Sequence, residues 1–184
     1  LLDQMEIDEG DTVQLEAMFS DRSPQDRFDV EILWGDGTVT NLSKAAGDYS
    51  ISQTHLYRDD HPSSGTPQDT LKIKLTIADD DTGVTEKTIN LIVNNVAPEF
   101  TSLKLDKTEI DEGDTVTLSG TFKDPGRLDT FTIDVDWGDG VLKTYQLPSV
   151  GAFANGVGSF SIAKKIVDDH PDTGTPSDML KVKV

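Results

Sequence analysis

The feature that most constrains this chain is an internal duplication. Glu6-Ile-Asp-Glu-Gly-Asp-Thr-Val13 recurs letter for letter as Glu109-Ile-Asp-Glu-Gly-Asp-Thr-Val116. Trp34-Gly-Asp-Gly37 recurs as Trp137-Gly-Asp-Gly140 at the same spacing, 103 positions on. Asp59-Asp-His-Pro then matches Asp168-Asp-His-Pro at a spacing of 109, so the second copy carries six extra residues, expected around Pro148 to Gly158. Asp69-Thr-Leu-Lys-Ile-Lys-Leu75 aligns with Asp178-Met-Leu-Lys-Val-Lys-Val184, where the sequence stops before any counterpart of Thr76 to Asn95. Long identities at fixed spacing mark an array of like modules, each with its own core.

Within each copy the apolar residues recur every second position, the signature of strands with one face buried. Val13, Leu15, Ala17 and Phe19 share one face, as do Phe28, Val30, Ile32 and Trp34. Phe131, Ile133, Val135 and Trp137 repeat the second stripe, while Leu71 to Ile77 and Ile89 to Val93 supply two more. Gly35-Asp-Gly37 and Asp81-Thr-Gly83 are turn formers between such runs. No stretch keeps helical spacing over ten residues, so helices should be nearly absent. About seven short strands per copy predict an all-β chain of two antiparallel β-sandwiches, residues 1–95 and 96–184, the second lacking its last strand. Asn94, Asn95 and Pro98 mark a linker too short to let the modules swing freely.

Charge narrows the function classes. The chain carries 34 acidic and 16 basic residues, a net charge of −18, which speaks against any large nucleic-acid surface. The excess is heavier in the first copy, 19 acidic against 7 basic, than in the second, 15 against 9. No apolar run is long enough to cross a membrane as a helix. With no cysteine, disulfides play no part, and the lack of an initial Met or signal peptide reads as a segment of something longer.

The chain resembles the polycystic kidney disease (PKD) domains. The residues that carry the resemblance are the Trp34-Gly-Asp-Gly37 hairpin, His55-Leu-Tyr57, and Leu75 to Gly83 followed by a last strand and Val96-Ala-Pro98. Thr121 to Asp129 followed by Asp136-Trp-Gly-Asp-Gly140 is similar to the divergent form found in tandem in giant bacterial surface proteins. The second copy departs by placing Lys164 and Ile166 where the first has His55 and Tyr57. The resemblance implies immunoglobulin-like sandwiches, secretion or surface display, and spacer, adhesion or accessory-binding roles rather than catalysis. Partners it implies are neighbouring repeats of the same parent chain and a surface polysaccharide or protein.

Parity places Trp34 and Trp137 with the core stripes rather than on a sugar-stacking surface, and Asp36 and Asp139 stand where the turn requires Asp before Gly. Exposed aromatics in a row would favour an accessory binding module of a secreted hydrolase, and the candidates are Tyr49, Tyr145 and Phe153. His55, His61 and His170 lack zinc-ligand spacing; the last two recur in matching loops and suggest a hydrogen bond that shapes the loop. Calcium is the cofactor with a physical case, because it takes six to eight oxygens and loop carboxylates supply them. In an immunoglobulin-like sandwich the loop holding Asp21 and Asp26 meets the loop holding Asp79, Asp80 and Asp81. The second copy presents Asp124 and Asp129 at the same end, beside the linker residues Asn94 and Asn95, and that linker resembles the calcium-binding linkers of cadherins. The expected function is a spacer or adhesin stalk, stiffened by calcium.

Overall fold

The computed structural model describes residues 1–60, 66–149, 151–167 and 179–184. They fold as two units, Leu1–Val96 and Ala97–Val184, with strands and turns but no helix among the described residues. Val96 belongs with the first unit because its N–H donates to the Glu9 carboxylate at 2.9 Å.

The first unit holds β1 (Glu6–Asp8), β2 (Thr12–Met18), β3 (Phe28–Leu33), β4 (Val39–Lys44), β5 (Ser50–Leu56), β6 (Gln68–Asp79) and β7 (Val84–Asn94). One sheet runs β1-β7-β6-β3-β4, and β2 pairs with β5 as the second layer. All neighbours are antiparallel except β1, which runs parallel to β7. The stripes expected from period two meet between the layers. Val13 and Leu15 of β2 and Ile51 of β5 pack against Val30, Ile32, Ile73 and Leu91, all buried. Each such side chain contributes about 1.5–3 kcal/mol when fully buried, which is why the pattern dictates the pairing.

The second unit holds β8 (Glu99–Leu105), β9 (Thr115–Lys123), β10 (Thr132–Asp136), β11 (Leu142–Gln146), β12 (Gly151–Ala154) and β13 (Val157–Lys165). One sheet runs β12-β13-β9-β8, and β10 pairs with β11. The six extra residues fall in the expected segment and build β12, an edge strand without a counterpart in the first unit. It turns into β13 through Asn155 and Gly156, both at positive φ (54° and 78°), the left-handed pair that a tight hairpin uses.

Register confirms the alignment of the two copies. Leu33 of β3 lies opposite Lys74 of β6, and their counterparts Asp136 and Lys183 pair the same way through two backbone hydrogen bonds, of 3.0 and 2.8 Å. Val182 packs on the second core. Near Val184 an open groove of about 220 Å³ is lined by Phe122, Phe131 and Ile133. In the first unit the partner of Val30, the counterpart of Ile133, is Ile77. Among the described residues, no helix is long and apolar enough to cross a membrane.

Candidate functional site

Two places gather polar chemistry in the first unit. One is the Trp-Gly-Asp-Gly corner between β3 and β4. Trp34 is only 1% exposed and Trp137 2%, so both indoles are core residues, as their parity requires. Gly35 and Gly138 sit at φ of 91° and 94°. A Cβ on Gly35 would lie 3.0 Å from the Lys72 backbone nitrogen, and one on Gly138 3.0 Å from that of Lys181. Both the left-handed backbone and the close passage of the next strand exclude a side chain there.

Behind the first corner a polar lock closes. Asp36 accepts hydrogen bonds from the Thr38 N–H (2.9 Å) and the Thr38 hydroxyl (2.6 Å), and its other oxygen lies 2.7 Å from His55 Nε2. The His55 ring stacks on Trp34 with centroids 4.5 Å apart, and the Trp34 Nε1–H donates to the Thr40 hydroxyl at 2.9 Å. Tyr57 stands edge-on to His55 and donates its hydroxyl to the Trp34 carbonyl at 2.8 Å. Burial raises the Asp36 carboxyl, but the Thr38 and His55 hydrogen bonds outweigh it and hold the group below its ordinary value. Burial and the Asp36 charge push the Tyr57 hydroxyl well above the ordinary phenol range. A carboxylate, an imidazole and a buried phenol are thus spent on fixing the turn, and Asp36 serves it as the Asp-Gly pattern implied.

The other place is the loop end. Asp21, Asp26 and Asp79 each bring a carboxylate oxygen within 4.8 Å of the other two, and Asp26, Asp80 and Asp81 do the same. An all-carboxylate donor set on loops is of the kind that calcium takes. These groups also shape their own loops. Asp21 accepts the Ser23 N–H at 2.7 Å, Asp26 accepts the Ser23 hydroxyl, and one Asp79 oxygen accepts the N–H groups of Asp81 (2.9 Å) and Gly83 (2.6 Å). Asp80 accepts a long bond, 3.4 Å, from the Arg27 N–H.

The remaining candidates are placed differently. Asp124, the counterpart of exposed Asp21, is buried and accepts the Gly126 N–H at 2.8 Å, while Asp129 is half-buried. Counterparts of Asp79 to Asp81 would lie past Val184, and the second unit's described residues form no three-carboxylate cluster among themselves. The Asn94 amide donates to Glu6 (3.2 Å) and Asp8 (3.3 Å), which holds its nitrogen end toward those acids, and the Asn95 N–H donates to the Pro67 carbonyl at 3.1 Å. His61 and His170 lie outside the described residues.

Tyr49, Tyr145 and Phe153 prove to be core-packing residues rather than exposed ones. Tyr49 sits against Phe19 and Phe28, Phe153 against Phe122 and Phe131, and Tyr145 is half-buried on the second core under the Lys143 ammonium. Tyr145 lies on the polar β11, Tyr49 just ahead of β5 and Phe153 on the four-residue β12, so no long apolar alternation betrays this from sequence. Sequence reasoning also missed the buried acids Glu9 and Asp59, whose carboxylate oxygens approach within 4.8 Å. Glu9 belongs to the duplicated motif, yet Glu112 in the second copy is exposed, so the repeat itself gave no signal of burial.

No protein-family profile matches the chain, and no curated protein matches it in sequence. Among solved structures, a tetra-tandem repeat in the extending region of a large adhesion protein is similar at 18% identity and a TM-score of 0.49. The match covers 91% of this chain and 40% of that one, so this chain spans less than half of its length.

Proposed function

We propose that the chain is two consecutive modules of a non-catalytic stalk or spacer in a large secreted or surface-displayed protein, PKD-like in kind. We further propose that Asp21, Asp26, Asp79, Asp80 and Asp81 bind calcium at the loop end of the first module. The observation that carries the first reading is duplication of the module down to strand register, with Leu33–Lys74 and Asp136–Lys183 as equivalent pairs. What both modules keep is the buried indole and the left-handed glycine of the Trp-Gly-Asp-Gly corner, features that hold shape. Two interlocking carboxylate triads support the calcium reading, because like charges at that spacing repel unless a cation lies among them.

The stalk reading is tested by single-molecule pulling of the chain between inert flanking domains. Two separate unfolding events at well-defined extensions are expected; a chain that unravels without a force peak contradicts a load-bearing role. Calcium is tested by calorimetry and thermal melting with calcium chloride at physiological salt. Affinity near the millimolar range of extracellular sites is expected, with a melting rise from mass action. The Asp26→Asn/Asp79→Asn variant should lose both. Absence of saturable binding, or a rise that survives in the variant, removes calcium from the proposal. The alternative, an accessory carbohydrate- or protein-binding module of a secreted hydrolase, has less support, since Tyr49, Tyr145 and Phe153 are partly buried against the cores.

A further inference from the structure

In the second unit β8 covers one edge of the sandwich by pairing with β9, from Glu99 opposite Lys123 to Leu105 opposite Leu118. Among the described residues, the same edge of β2 in the first unit carries Leu1 to Asp3. Leu2 bridges Leu15 as Leu105 pairs with Leu118, the Asp3 N–H donates to the Gln14 carbonyl at 3.1 Å, and the Glu16 N–H to the Leu1 carbonyl at 2.9 Å. Beyond Leu1 an open groove of about 940 Å³ runs between the layers, with Ala17, Phe19, Ile51, Leu75 and Ile77 in its walls. Leu1 and Met18 beside it are 88% and 87% exposed. In the second unit the positions of Phe19 and Ile51 are held by Phe122 and Phe160. Phe100 of β8 lies opposite Phe122 and meets the Phe160 ring at 6.2 Å.

We infer that this groove seats a β-strand that enters the first repeat from the N-terminal side of Leu1, antiparallel to β2, with a bulky apolar side chain over Phe19 and Ile51. The pairing already begun by Leu1 to Asp3 sets its direction. Strand alternation turns the Met18 backbone the same way as that of Glu16, so the ladder can continue to Met18, beyond which β8 bulges between Ser102 and Phe100 in the second unit. An extended partner added to a sheet edge gains main-chain hydrogen bonds along the strand and specificity from alternate side chains. The occupant is the continuation of the polypeptide itself: a strand joined to Leu1 is held beside the groove at high effective concentration, which a separate molecule is not. The segment leading into each repeat is thereby part of that repeat, as Glu99–Leu105 is part of the second. This holds whether or not calcium binds.

The test places a copy of the sequence 95–103 directly ahead of Leu1 in the full chain. The copied Leu103 falls opposite Ala17, and with the bulge that β8 makes between Phe100 and Ser102 repeated in the leader, the copied Phe100 falls opposite Phe19. The expected result is a rise of at least about 5 °C in the melting of the first unit, a fall in apolar-dye binding, and slowed hydrogen exchange at Ala17 to Phe19. A second leader with Asp at the copied Phe should give none of these. An unchanged melt and unchanged exchange overturn the inference, as does an equal gain from the Asp-bearing leader. Light scattering that finds the unextended chain dimeric and the extended one monomeric overturns the choice of occupant in favour of a second copy.

Discussion

The two Trp-Gly-Asp-Gly corners share a backbone and differ in what stands behind it. Asp36 faces an imidazole that is itself stacked on Trp34, whereas Asp139 meets the Lys164 ammonium at 3.3 Å. The Trp34 indole N–H finds Thr40; the Trp137 indole N–H finds no acceptor among the described residues, because Lys143 occupies the Thr40 position. Tyr57, which ties its hydroxyl to the Trp34 carbonyl, is replaced by Ile166. The turn is therefore specified by glycine conformation and the buried indole, and the polar lock is an addition that one copy has and the other does without. A basic side chain beside the Asp is retained in both, though its chemistry changes.

Removing the indole is the harshest way to test that ranking. Trp34→Ala and Trp137→Ala should each cost about 3–5 kcal/mol, the usual range for a buried aromatic, read from denaturant unfolding. If the first corner's polar lock matters more than the indole, Trp34→Ala will cost no more than His55→Ala, and the ranking is wrong.

A second comparison lies in the cores. Ala17 pairs across the sheet with Ile51, and their counterparts Gly120 and Phe160 pair in the same register. The second unit has traded bulk from one strand to the other. A Cβ on Gly120 would stand 2.6 Å from the Phe160 ring, which is itself buried. Gly120→Ala should thus cost about 1–3 kcal/mol through overpacking. Adding Phe160→Ile, which reproduces the first unit's pair, should recover most of that loss. Additive costs in the double variant would show that the two sites are not exchanging volume.

Much of this was legible from pattern, and the reasons are physical. Period two dictates which face of β3 and β10 is buried, and that parity alone puts Trp34 and Trp137 in the core. Chain order in a sandwich brought Asp21 and Asp26 beside Asp79 to Asp81, because loops at one end must meet. What pattern could not convey is partner choice. Nothing in His55 alone says that it will lie flat on Trp34, since that contact joins residues twenty-one positions apart across two layers. Tyr49 lies just ahead of β5 and Phe153 within the short β12, where no long alternation marks a buried face, so their burial depends on neighbours such as Phe28 and Phe122. The same holds for Glu9 and Glu112, identical in motif and different in burial.

Tyr57→Phe isolates one bond of the lock. The ring keeps its edge contact with His55, but the Trp34 carbonyl loses a buried donor, at a cost of about 1–2 kcal/mol. Ile166→Tyr in the second unit offers the reverse experiment. Without a stacked imidazole to position the ring, it should gain nothing and cost stability through added bulk. A gain there would mean that the hydroxyl alone builds the lock and that His55 is dispensable.

The smallest effects belong to the two carboxylates, and they sharpen the comparison because solvent treats them differently. The Lys164–Asp139 pair is about one-third exposed on both sides, so Asp139→Asn should change stability by no more than about 1 kcal/mol. That change should shrink further in molar salt. His55 and Asp36 are more shielded, and Asp36→Asn should be the larger loss and nearly insensitive to salt. Acid gives an independent reading. The Asp36 carboxyl is held below its unfolded value of 3.8 by hydrogen bonds from Thr38 and His55 that outweigh burial. Its contribution is therefore complete above that pH and lost as pH falls through the lower folded value. Asp139 is lowered too: the Val141 N–H is the largest cause, burial opposes it, and the Lys164 hydrogen bond and charge add to the lowering. Both wild-type units should weaken below about pH 4, and each Asp→Asn variant should flatten the acid limb of its own unit. Equal salt sensitivity for Asp36→Asn and Asp139→Asn would mean that the imidazole lock is as open to water as the lysine pair, and the distinction between the two corners would fail.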